Sequence, residues 1–123
     1  MKKLYRIKKN EEFQRILHIR HFVSLPNYTL YFATKRETIG RFGISVGKKL
    51  GGAVERNKIR RQIRMMIQEI SDFKEEFDVV ILVRSAYLSK SYAENKKDLE
   101  NCLNKVRIKV RKNTQGELNE KAS

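Results

Sequence analysis

At 123 residues, with 40% hydrophobic and 34% charged residues, the chain suits one folded domain around a single core. Twenty-eight Lys and Arg against fourteen Asp and Glu leave a formal charge of +14. Such an excess works against the compact state, so an anionic partner is the first explanation: nucleic acid, an anionic membrane surface or an acidic protein. The lone Cys102 excludes an intrachain disulfide framework and suits a reducing cytosol. No apolar run is long enough for a signal peptide or for the roughly 20 residues of a membrane span, so a soluble, cytoplasmic protein is expected.

There is no internal repeat and no Pro- or Gly-rich linker, which predicts one domain over residues 1–112. Residues 1–9 carry five positive charges and no negative one and read as a flexible basic arm. Asn10 is placed to cap a helix over 10–19, with Glu11 and Glu12 in its first turn and Phe13, Ile16 and Leu17 on one side. His18 and His21, near the end of that helix, read as surface or capping residues. A strand-like stretch at 21–25 is broken by Pro26-Asn27, and 28–34 is a second, aromatic-rich strand. In 41–47, Phe42, Ile44 and Val46 alternate with Gly43, Ser45 and Gly47, the pattern of a strand with two unlike faces. Gly47, Gly51 and Gly52 then bracket Lys48, Lys49 and Leu50 in a loop.

The strongest helix spans about 53–70. A continuous apolar run at 79–83 predicts a strand buried on both faces. Ser91 and Glu94 have the spacing of a capping box, opening a helix with Leu99, Cys102, Leu103 and Val106 in one buried stripe. The polar residues 113–123 are expected to be a disordered tail. The predicted order is α-β-β-β-α-β-α, an α+β fold with one layer of sheet.

Residues 41–64 hold eight basic residues and one acid, Glu55. At about 100° per residue, Ile59, Ile63, Met66, Ile67 and Ile70 form the core-facing stripe of the 53–70 helix. Arg56, Arg60 and Arg64 form an i, i+4, i+8 column along its border, with Asn57 and Arg61 beside it. Like charges stacked in this way cost an isolated helix roughly 0.2–0.5 kcal/mol per pair, which a merely solvated face would avoid by interspersing acids. The column covers about 12 Å of axis, and the planar Arg fork holds phosphate bidentately. A membrane-surface or calmodulin-target helix would offer its apolar face to the partner, but this helix needs that face for its own core. The preceding Gly-rich loop has the residue types of a phosphate cradle without being a Walker A motif. The acids are scattered, so nothing here reads as a nuclease site, a metal site or a small-molecule pocket of the chain's own.

The stretch FGISVGKKLGGAVERNKIRRQIR, residues 42–64, closely resembles the signature of the bacterial ribonuclease P protein subunit. YRIKKNEEF at 5–13 and FDVVILVR at 77–84 are similar to that family's opening and fourth strand. The resemblance covers about residues 4–110. It implies a two-layer α/β sandwich of the ribosomal-protein type with a left-handed β-α-β crossover, against the usual hand. It further implies an accessory subunit of an endoribonuclease that removes the 5′ leader of precursor tRNA. The chemistry would belong to a catalytic RNA and its Mg2+ ions, so no residue of the chain would be catalytic.

Carried over residue by residue, the resemblance assigns Lys48, Lys49, Arg56, Asn57, Lys58, Arg60, Arg61 and Arg64 to the catalytic RNA. It assigns Phe13, Leu17, Tyr28 and Tyr31 to a cleft that holds the leader. Lys58 departs from the family's second motif Arg, keeping the charge but losing the fork. Leu17 stands where Phe is frequent, which weakens stacking there. Composition and fold class alone fit a structural RNA-binding protein of ribosomal type equally well; only the signature separates the two.

Overall fold

A computed structural model describes residues 1–112 in full and only the helical course of 113–122, so the tail expected at 113–123 lies outside the described residues. Three helices, α1 (Asn10–Ile19), α2 (Ala53–Ile70) and α3 (Tyr92–Ala122), surround strands β1 (Phe22–Ser24), β2 (Tyr28–Thr34), β3 (Phe42–Val46) and β4 (Phe77–Val83). The strands form one sheet in the order β1-β2-β4-β3. β1 and β2 form a hairpin about Pro26-Asn27, β2 pairs antiparallel with β4, and β3 pairs parallel with β4. A parallel pair needs a crossover, and α2 supplies it.

β4 lies between two neighbours and is covered on both faces, as its unbroken apolar run requires. Its Val79, Ile81 and Val83 join Leu30, Phe32, Phe42 and Val46 in the main core under α2 and α3. Ile59, Ile63, Met66 and Ile67 of α2 and Leu99, Cys102, Leu103 and Val106 of α3 complete that core, so both predicted stripes point inward. Burial raises the Cys102 thiol to about 11, which keeps it an inert core group. The opposite face carries a smaller core of Ile7, Ile16, Ala33 and Val80, where α1 covers part of the sheet and leaves the rest open.

Two local devices hold these parts in register. Ser91 and Glu94 form the expected capping box, Glu94 N to Ser91 Oγ 3.2 Å and Ser91 N to Glu94 Oε1 3.1 Å. These bonds hold the Glu94 carboxyl below its ordinary range. At the other end, fully buried Asp78 accepts from Arg15 of α1 at 3.1 Å and from the backbone N of Arg41 at 2.9 Å. Arg41 also donates to Glu12 of α1 at 3.0 Å, tying the helix to the sheet through paired charges.

Two expectations need correction. Asn10 is the first residue of α1 rather than its cap; Lys9 holds the cap position and offers no side-chain bond. The basic arm is docked, not free. Lys3–Tyr5 make a 3-10 turn, Tyr5 stacks on Phe73 at 4.4 Å, and Ile7 is buried with its N–H bonded to Phe42 O at 2.9 Å. Charge counting misses this because one apolar residue, Ile7, and one ring decide where the segment lies.

Candidate nucleic-acid interfaces

The first surface is the flank of α2. Because the stripe from Ile59 to Ile67 is buried, Arg56, Arg60 and Arg64 fall at its edge and are half-buried, with their stems against apolar surface. Asn57, Lys58 and Arg61 stand fully outward. Asn57 Oδ1 accepts from Arg60 Nη1 at 2.9 Å and so orients that guanidinium. Val54, Asn57, Arg60, Arg61 and Arg64 line a shallow groove along the helix. Among the described residues no acid forms an ion pair with any of these arginines, whereas Arg15, Arg41 and Arg107 all have carboxylate partners.

The Gly-rich loop sits just upstream. Lys48–Leu50 form a 3-10 turn whose Leu50 is buried, so the flanking Lys48 and Lys49 project outward. Gly51 has φ 131°, a conformation that only Gly adopts freely, and a Cβ there would come within 2.9 Å of Glu55. No side chain caps the N-terminus of α2. Its first-turn N–H groups therefore stay open beside two lysines and the arginine column.

The second surface lies across the sheet, between α1 and the open part of its face. Phe13 and Leu17 of α1 and Tyr31 and Leu82 of the sheet are all partly buried around the smaller core. Gly43 makes this possible: a Cβ at that position would meet the Phe13 ring at 2.8 Å. The bare backbone of β3 is the bed on which the ring lies.

The structure brings Phe13, Leu17 and Tyr31 together but not Tyr28. Strand alternation sends Tyr28 to the opposite face, where it is fully buried in the main core. Its hydroxyl donates to Asn95 O at 3.0 Å, and its pKa is pushed up by burial. The assignment of Tyr28 to the cleft is therefore corrected: it is a core residue, and three positions of separation from Tyr31 already place the two on opposite faces.

Two residues of this surface escaped the sequence reading. Phe22 is 46% exposed, lies opposite Tyr31 in the β1-β2 register and packs on its ring at 5.3 Å. The signal was available, since Val23 is buried and its neighbours in a strand must face the other way. Arg84, just beyond β4, is exposed and donates to Thr29 Oγ1 at 3.1 Å, placing a cation at the end of the cleft floor. His18 and His21 are exposed, as expected, with His18 Nδ1 2.7 Å from Gln14 O. No group of three or more His, Cys, Asp or Glu that could hold a metal ion forms among the described residues. No helix among them is long and apolar enough to cross a membrane.

An α+β sandwich with a cation-lined crossover helix on one face and an aromatic cleft on the other has the features that suit a nucleic-acid-binding protein. Similarity to known proteins says which. The family model Ribonuclease P matches residues 1–107. The chain is 46% identical over 95 residues to the ribonuclease P protein component of Mesoplasma florum, covering 76% of this chain and 86% of that protein. To the same component of Limosilactobacillus reuteri it is 39% identical over 110 residues, covering 88% and 94%. The solved structure of the Staphylococcus aureus RNase P protein is similar with a TM-score of 0.75 and 36% identity, covering 83% of this chain and 94% of that one. The chain belongs to the ribonuclease P protein family, the protein subunit of a tRNA-processing endoribonuclease ribonucleoprotein.

Proposed function

We propose that the protein binds the catalytic RNA through α2 and its preceding loop, and binds the 5′ leader of precursor tRNA in the cleft on the opposite face. Lys48, Lys49, Arg56, Asn57, Lys58, Arg60, Arg61 and Arg64 contact the catalytic RNA. Phe13, Leu17 and Tyr31 contact the leader, with Phe22 extending the aromatic floor. The observation that carries this reading is the pairing of two unlike surfaces on one small domain. One is an arginine column with no carboxylate partner among the described residues, suited to phosphate; the other is an aromatic cleft, suited to unstacked bases.

Cleavage belongs to the RNA on this reading, and the Mg2+ it needs is held there. Asp78 and Glu75 are engaged by arginines, and among the described residues no group of three or more His, Cys, Asp or Glu gathers that could hold the ion. What the protein contributes is affinity and position. Neutralised phosphates let the RNAs approach at lower Mg2+, and the held leader fixes the substrate's register. The site of action on this reading is the cytoplasm.

The test is reconstitution with the catalytic RNA. Leader removal at low Mg2+ is expected only with protein present, and precursor tRNA should bind the complex more tightly than leaderless tRNA. Equal binding of the two would overturn the cleft assignment.

A further inference from the structure

β1 forms the outer rim of the leader cleft, and one of its residues, Ser24, has no part in the assignments above. As the end strand of the sheet, β1 has one unpaired edge. Its bonds to β2 fall at alternate residues: His21 O accepts from Phe32 N at 3.0 Å, and Leu25 N donates to Tyr28 O at 2.8 Å. In an antiparallel pair the residues between such rungs turn their N–H and C=O away from the partner strand. Phe22 and Ser24 therefore direct both backbone groups to the free edge. Their side chains share the cleft face, because buried Val23 between them takes the other.

Ser24 lies opposite Thr29 in the β1-β2 register, with its Oγ 3.1 Å from Thr29 Oγ1. A third partner fixes the direction of that bond. Arg84 Nε donates to Thr29 Oγ1 at 3.1 Å, so the threonine oxygen already accepts. Thr29 is buried, and its own hydroxyl proton has Ser24 Oγ as its acceptor. Ser24 must then turn its proton elsewhere, and the residue is exposed. A guanidinium, a buried hydroxyl and an exposed hydroxyl thus make a one-way chain that ends in a donor at the rim.

Two positions back on the same face, Phe22 offers a ring that is 46% exposed and packed on Tyr31 at 5.3 Å. A base stacked on that ring meets the Ser24 hydroxyl about 7 Å along the strand, two residues at the strand rise. The fused rings of a purine carry an edge acceptor over that distance more readily than a single ring does. We propose that Phe22 and Ser24 form a purine-reading subsite on the rim of the cleft: the base stacks on Phe22, and Ser24 Oγ–H donates to an acceptor on its edge. The subsite rests on the reading that the cleft holds the leader. It adds to that reading a base preference and the residue that sets it.

The test is binding of precursor tRNA by the full-length protein reconstituted with the catalytic RNA, using leaders in which one purine is moved through otherwise pyrimidine positions. At one leader position a purine should bind about fivefold more tightly than a pyrimidine, the scale of a single neutral hydrogen bond. Ser24→Val and Ser24→Thr give side chains of nearly the same shape that differ in the hydroxyl. The valine variant should lose the preference at that position, and the threonine variant should keep it. Phe22→Ala should weaken binding of either base there by about tenfold. Leaderless tRNA should bind every variant as it binds the wild type. Should valine disturb the strand in thermal unfolding, Ser24→Ala gives the same readout.

A purine preference that survives Ser24→Val and Ser24→Ala, or none at any position in the wild type, would refute the subsite. The cleft reading would still stand if Tyr31→Ala weakens binding of leader-bearing tRNA. Should Tyr31→Ala also bind as wild type, the cleft reading falls and the subsite falls with it.

Discussion

Tyr28 and Tyr31 are the same residue type, three positions apart on one strand, and they do different work. Tyr28 fills the main core and satisfies the carbonyl of Asn95; Tyr31 lies half-buried beside Phe22 on the open face. Tyr28→Ala is therefore expected to cost about 3–5 kcal/mol of stability, read by denaturant unfolding. Tyr31→Ala should cost little stability but weaken binding of leader-bearing tRNA by about tenfold, with leaderless tRNA unaffected, since each stacked base is worth roughly 1–3 kcal/mol. Reversed effects would mean that strand alternation has been assigned the wrong way round. Residue type alone does not separate the two tyrosines, whereas the period of a strand does once its partner faces are known.

At the scale of elements, α2 was the most legible part of the chain. Ile59, Ile63, Met66 and Ile67 recur at helical spacing, and the arginine column follows from the same arithmetic. The capping box at Ser91 was legible for a similar reason, because both its partners lie within four residues. The seat of α1 was not. It depends on Gly43, Asp78 and Arg41, which come from other parts of the chain. Gly43→Ala would place a methyl group 2.8 Å from the Phe13 ring and lift the helix. The expected result is a loss of about 1–3 kcal/mol in stability and weaker binding of the leader, with affinity for the catalytic RNA retained because α2 lies on the far side of the sheet. Thermal unfolding and parallel binding assays of precursor tRNA and catalytic RNA would show this; an equal loss for both RNAs would contradict the separation of the two surfaces.

The whole molecule carries +14, and its charge governs how it meets RNA before any single contact forms. Affinity for the catalytic RNA should fall steeply and linearly in log salt, and Arg60→Ala should flatten that slope by about one unit, measured by binding titrations at several salt concentrations. A slope that ignores Arg60 would remove the α2 column from the contact surface. Composition, helical spacing and the 42–64 stretch by themselves determined the fold class, the basic crossover helix and the family, because those signals lie at fixed short intervals along the chain. Only the tertiary structure decided that Tyr28 is core, that Phe22 and Arg84 join the cleft, and that the basic N-terminus is docked along β3. Each of these depends on which segments the sheet order brings side by side, and pairings between distant parts of the chain leave no periodic trace in the sequence.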